Sequence, residues 1–279
     1  MTPRRIVPLI AALMVFAAAC ATASDEVSLD ARAKGVEKKR GTTSTTTTSP
    51  TGAPTDDAAA EKAEDPDLED DSNYRKVKTS ELGEVCSRPL QAGQSNEFRI
   101  EGRVQIVGDD ITLKGLCRVI LVGDARLTFR RTNLAVQGGG LYIQDDPDTA
   151  GSNLVRFRRS TFLSLGDAGF AVALSDSNDK VVASDSAFSF PRSVWFQALG
   201  IRGIQATGGG EIRIRRAELT SKGDKSEGVQ ILASSTNGKI IIDRVDIEAD
   251  AIPSILAANC KATKLTGAPP ECGPVPLPN

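Results

Sequence analysis

The chain has 279 residues, a formal net charge of -2 and no histidine. Near-neutrality removes any bulk attraction to nucleic acid, and the missing imidazole removes every mechanism that needs histidine as base or metal ligand. Aromatic residues make up only 4% of the chain against 25 glycines, which suits short strands and tight turns better than a helical bundle.

Residues 1–19 read as a signal peptide. Arg4 and Arg5 give the positive start, Ile6 to Phe16 form a short apolar run, and Ala17, Ala18 and Ala19 supply small residues. The run is too short for a permanent bilayer span. Five cysteines leave one over after pairing, and Cys20 is the one at the signal boundary. The segment Phe16-Ala-Ala-Ala-Cys20 resembles a bacterial lipobox, which implies lipidation of Cys20 and a membrane held through an N-terminal lipid. The alternative is simple secretion, with cleavage after Ala21-Thr22-Ala23.

Residues 20–82 carry no sustained apolar period. Gly41 to Pro50 is a Thr/Ser run, and Asp56 to Asp71 holds nine acids and one lysine. Such a segment cannot bury enough apolar surface to offset chain entropy, so it reads as a disordered tether. As a flexible coil it would reach about 40–45 Å on average.

The folded domain is expected over residues 83–279. Glu97 to Val122 is strand-like, with turns at Gly108-Asp109-Asp110 and Gly123-Asp124, and reads as one or two irregular opening rungs. A motif then recurs. Leu127-Thr-Phe129-Arg-Arg-Thr-Asn-Leu134 is followed by Val155 to Phe162, Val181 to Phe188, Ile212 to Leu219 and Ile240 to Ile247. The large apolar anchors Leu134, Phe162, Phe188, Leu219 and Ile247 lie 28, 26, 31 and 28 residues apart.

Counted from its anchor, each copy is apolar at minus seven and minus five and small or β-branched at minus two. A period of two holds on both sides of a break at minus four and minus three, which predicts two short strands and a sharp bend. A third strand follows in each copy: Gly140 to Gln144, Gly169 to Leu174, Ser193 to Phe196, Gly228 to Leu232 and Ser254 to Ala257. Three strands per period predict an all-β fold, a right-handed parallel β-helix solenoid of about five to seven rungs. The pattern over about Leu127 to Ala257 resembles the pectate-lyase-like superfamily in architecture, without a lyase motif.

Cys86, Cys117, Cys260 and Cys272 contain no close Cys-x-x-Cys pair, which argues against zinc. Export permits disulfides, with three pairings open. The local choice, Cys86 with Cys117 and Cys260 with Cys272, would staple each end of the repeat. The Pro-rich segment Thr266 to Asn279 suits a tail hooked over the last coil, or frays.

Stacked copies turn positions into columns. At minus three stand Arg131, Arg159, Asp185, Arg216 and Arg244, and at minus four Arg130, Arg158, Ser184, Arg215 and Asp243. Glu218 and Asp246, at minus one, and Asp185, in the minus-three column itself, are expected to offset the later arginines. That leaves Arg130, Arg131, Arg156, Arg158 and Arg159 as an uncompensated patch for an anionic polymer. The plain alternative is a solvated face that resists aggregation.

Asp145, Asp146 and Asp148 on one loop, with Asp176 and Asp179 on the next, suggest a weak Ca²⁺ site. Turn chemistry explains the same residues more simply. Of Trp195 and Phe196 one must face inward; an inward Trp195 would be ordinary core, an outward one a sugar platform.

The leading expectation is a non-enzymatic, envelope-anchored or secreted β-helix that presents a binding or structural surface to an anionic glycan or another envelope component, with no cofactor. The alternative is a carbohydrate-active lyase or hydrolase working with carboxylates or Ca²⁺.

Overall fold

The computed structural model describes residues 73–89, 95–108, 110–176, 178–200, 209–234, 236–267 and 272. The signal segment, Cys20 and the tether up to residue 72 lie outside them. The folded part starts earlier than residue 83. Residues 75–82, counted with the tether in the sequence reading, form strand β1 (Arg75–Lys78) and the first half of helix α1 (Thr79–Cys86). Tyr74, Val77, Thr79 and Leu82 are buried there.

Among the described residues, fourteen strands form one sheet wound on itself, and each of them pairs in parallel. The strands after α1 are β2 (Asn96–Val107), β3 (Ile111–Arg130), β4 (Asn133–Asp145), β5 (Leu154–Arg158), β6 (Thr161–Ser164) and β7 (Gly169–Leu174). Then come β8 (Lys180–Ser189), β9 (Ser193–Ala198), β10 (Glu211–Ser221), β11 (Gly228–Ala233), β12 (Lys239–Ala249), β13 (Ser254–Leu256) and β14 (Asn259–Thr266). This is a parallel β-helix.

Its three faces follow the three strands of the sequence motif. The first stacks β1, the end of β2, the end of β3, β5 and the starts of β8, β10, β12 and β14. The second stacks the starts of β3 and β4, then β6 and the ends of β8, β10 and β12. The third stacks the start of β2, the middle of β3, the end of β4, then β7, β9, β11 and β13.

The register matches the repeat residue for residue. Leu127, Val155, Val181, Ile212 and Ile240 are consecutive partners, as are Leu134, Phe162, Phe188, Leu219 and Ile247. The opening strands obey the same layout: Val104, Ile106 and Ile111 sit at minus seven, minus five and zero. The step from Val104 to Leu127 is only 23 residues. This coil is shorter because left-handed Gly115 and Gly123 turn it tightly.

Inward columns make one continuous core. Its centre is aromatic. Phe129 stacks on Phe157 and Phe162 on Phe188, each with centroids 5.3 Å apart, and the two stacks meet edge-on at 5.2 Å between Phe157 and Phe162. Full burial of each such ring contributes about 1.5–3 kcal/mol, and favourable ring pairs add about 0.5–1.5 kcal/mol.

Eight residues are too few for an independent helix. Helix α1 is held by packing and by a crosslink. Leu82 and Cys86 are buried against the first coil, and Gly83 lies against the end of the Ile111 side chain, which would have to shift to admit a larger residue. Cys86 pairs with Cys117 at a Cα separation of 5.1 Å, and Cys260 with Cys272 at 5.7 Å, which is the local pairing. The Asn96 amide donates to the carbonyls of Cys86 and Arg88 at 3.1 Å, closing the helix end.

Candidate functional site on the bend column

The bend between the first and second faces has an unusual backbone. The residue at minus three adopts a left-handed conformation in six successive coils: Arg131, Arg159, Asp185, Arg216, Arg244 and Lys264 have φ between 48° and 55°. In the shortened first coil the same bend carries Gly108. L-residues reach this region at a cost of about 1–2 kcal/mol, which glycine avoids.

Hydroxyl groups beside the bend satisfy its backbone. The Thr132 N–H donates to Ser160 Oγ, and the Ser160 N–H to Ser186 Oγ, both at 3.2 Å. Each serine hydroxyl in turn donates to the carbonyl two residues back, Ser160 to Arg158 at 3.0 Å and Ser186 to Ser184 at 2.8 Å. The minus-two residue is therefore small because it turns into the wall, and hydroxylic because the adjoining coil offers an N–H. Ala217 and Val245 take over where the hydroxyl series ends.

Four of the five expected patch residues lie at this bend. Arg130, Arg131 and Arg159 are exposed and Arg158 is half-buried. Among the described residues no carboxylate forms an ion pair with Arg131 or Arg159. Arg156 is different: it is only 3% exposed and does not belong to an accessible patch. It sits mid-strand between Thr128 and Val182 on the coils before and after. An outward position in the middle of a sheet is walled by its neighbours, so direction alone did not make it accessible. Gln105 and Thr128, in the same column, are buried too.

The later arginines meet acids, Asp185 of the column itself among them. Both nitrogens of an Arg216 fork reach Asp185, with Nη2 to Oδ2 at 3.0 Å. That hydrogen bond holds the Asp185 carboxyl below the usual range, despite partial desolvation, with Arg216, Arg159 and Arg158 adding attraction. Arg244 pairs with Asp243 of its own coil at 3.1 Å. Asp246 accepts the Thr266 hydroxyl at 2.6 Å instead. Glu211 gathers Arg213, Lys180 and Lys239 on the first face. A shallow groove of about 270 Å³ follows the bend over the last coils, with Arg216, Arg244 and Lys264 facing Glu218, Asp246 and Thr266.

The acidic turns are built for the backbone. Asp145, Asp146, Asp176 and Asp179 are buried, while Asp148 is exposed. Asn153 Oδ1 accepts the Ala125 N–H at 2.9 Å, and Asp179 Oδ1 accepts the Asn153 N–H at 2.8 Å, so equivalent positions form a ladder. Asp145 accepts the Asn153 amide at 2.9 Å, the Ser175 N–H at 2.6 Å and the Ser175 hydroxyl at 3.1 Å. Asp176 accepts the Gly151 N–H at 3.1 Å, and Asp146 pairs with Arg99. Burial, reinforced by the nearby Asp145 charge, pushes the Asp179 carboxyl up to about 8. Among the described residues no group of three acidic or sulfur side chains is placed to hold a metal ion.

Trp195 reverses the ordinary-core expectation. Phe196 is fully buried, and Trp195 is half-buried on the outer side of β9, between Ala171 and Gln230. The alternation was legible, but not its phase: Val194 and Phe196 together outweigh one indole for the inward side.

Fold and bend column together define a parallel β-helix with a ladder of cations along one edge. Compared with family models, curated proteins and solved structures, the chain matches none.

Proposed function

We propose that this chain is a non-enzymatic binding or structural protein of the cell envelope or the secreted space, and that its bend column holds an anionic polymer such as an anionic glycan. One observation carries the reading: arginine occupies a left-handed position in four of six coils among the described residues, where glycine would be easier. Strained positions that keep a particular side chain point to use of that side chain. Coils about 4.8 Å apart place Arg131 and Arg159 as successive forks for carboxylate, sulfate or phosphate groups.

The reading extends to the N-terminal region, where lipidated Cys20 would anchor the domain to a membrane through the 20–72 segment. Of the pectate-lyase-like superfamily it takes only the architecture. Asp145 is 6% exposed and Asp179 not at all, so these two carboxyls are not open to a substrate.

Two measurements test the proposal. The full mature protein carrying Arg131→Gly and Arg159→Gly should lose at least about tenfold of its affinity for polygalacturonate or dextran sulfate, as the loss of about two charge-assisted pairs implies. Unaltered affinity removes the column from the account. Intact mass of the mature chain should show a diacylated or triacylated Cys20 at its start; an unmodified Ser24 start leaves the binding reading standing and removes the anchor.

A further inference from the structure

The third face differs in chemistry from the first. Residues 140–144 of β4 and all of β7, β9, β11 and β13 contain no charged residue. The first face carries Lys180, Glu211, Arg213 and Lys239 on β8, β10 and β12.

Within the uncharged area the outward residues alternate from coil to coil. Tyr142 and Gln144 stand on one coil, Ala171 and Ala173 on the next, and Trp195 and Gln197 on the one after. Each ring is thus followed two residues on by a glutamine, and the coil between is kept low by alanines. Two coils put the rings about 10 Å apart along the stack.

Both rings are held outward for a reason the fold itself does not supply. The Tyr142 ring leans over the sheet: a side chain at Gly140 would meet its Cε2 at 2.7 Å. One at Gly169 would press on Ser193 Oγ at 2.6 Å and on the Tyr142 hydroxyl at 3.3 Å. Gly169 has no left-handed backbone, so clearance is what its missing side chain provides. The Trp195 indole N–H is shielded and has no acceptor among the described residues. A tryptophan in that state normally finds a partner or turns inward.

These features select an uncharged sugar chain. Aromatic rings pack on the C–H face of a pyranose, and an amide offers donors and an acceptor to neighbouring hydroxyls. In an extended β-1,4-linked chain every second sugar turns the same face to the same side, which suits a ring on every second coil. The lack of cations disfavours a phosphate-bearing polymer. The patch measures about 19 Å along the stack and about 13 Å along the strands. Its area of about 250 Å² falls well short of the roughly 800 Å² per partner of a stable protein interface, which disfavours a second copy.

We propose that Tyr142, Gln144, Trp195 and Gln197 form a binding site for an uncharged β-1,4-linked glycan lying along the axis of the β-helix. The site is separate from the bend column and independent of any ligand there.

Trp195 is the only tryptophan of the chain, so its fluorescence reports on this face. Chitohexaose and cellohexaose are titrated separately into the full mature protein. At least one of them should change the emission saturably. Calorimetry on Tyr142→Ala and Trp195→Ala should then show about tenfold weaker binding of that oligosaccharide, as loss of one stacking contact implies. Trp195→Phe, which keeps a ring, should bind more tightly than Trp195→Ala, and affinity for dextran sulfate should be unchanged in all three variants. No saturable change with either oligosaccharide, or binding that survives both alanine substitutions, overturns the proposal. So does self-association of the wild type that Trp195→Ala abolishes, because the face would then join two copies. The wild-type titration supplies the answer should a variant fail to fold.

Discussion

At the scale of single residues, left-handed arginine and buried Asp179 both trade stability for something else. Replacing Arg131 or Arg159 by glycine should stabilise the fold by about 0.5–1 kcal/mol each, since relief of the left-handed strain exceeds the entropy glycine costs. Chemical denaturation reads this directly, and a stabilised variant that binds less well separates folding from recognition. Asp179 works in the opposite direction. Its pKa is about 8 in the fold against 3.8 unfolded. Between about pH 4 and pH 8 the unfolded chain has released the proton and the folded chain keeps it, so this residue's contribution to stability falls as pH rises. Asp179→Asn keeps an oxygen for the Asn153 N–H and removes the titration. Its melting temperature should exceed that of wild type by little at pH 4.5 and by progressively more towards pH 8. A constant gap across that range would contradict the burial argument.

At the scale of elements, the bend is the clearest meeting of sequence and structure. The interrupted alternation at minus four and minus three was readable as two strands and a corner, and the register bears it out. What the sequence did not show is how the corner is satisfied, because a serine accepting an N–H from the coil before it looks like any small residue. Ser160→Ala should cost about 1–3 kcal/mol by leaving the buried Thr132 N–H without its partner. Ala217→Ser, in the same column, should change stability far less. Equal effects of the two substitutions in urea titrations would remove the hydroxyl series from the account. Arg156 and Trp195 escaped the sequence for a related reason. Periodicity says which side a residue faces, but exposure depends on what stands on neighbouring coils. Val104 to Ile111 fits the motif but was missed, because its period is 23 residues rather than 26–31.

At the scale of the whole molecule, each coil leans only on the coils before and after it, so local stability should follow local packing. The aromatic centre spans Phe129 to Phe196, whereas β13 and β14 have one strand neighbour each among the described residues. Native-state hydrogen exchange should show the slowest amides in β5, β7 and β8 and a decline towards β14. Uniform protection would instead mark the helix as one cooperative block. The fold class was legible because a repeat states its rule several times over. The acidic turns were harder: carboxylates that bind backbone N–H groups have the same letters as those that bind cations. The left-handed corner has one more consequence. Because it recurs once per coil, copying a single unit such as residues 155–180 into the chain would lengthen the molecule by about 4.8 Å and add one graduation to its row of charges. The row of charges is in this sense a ruled scale, and gene-level duplication of one unit would lengthen that scale by one step.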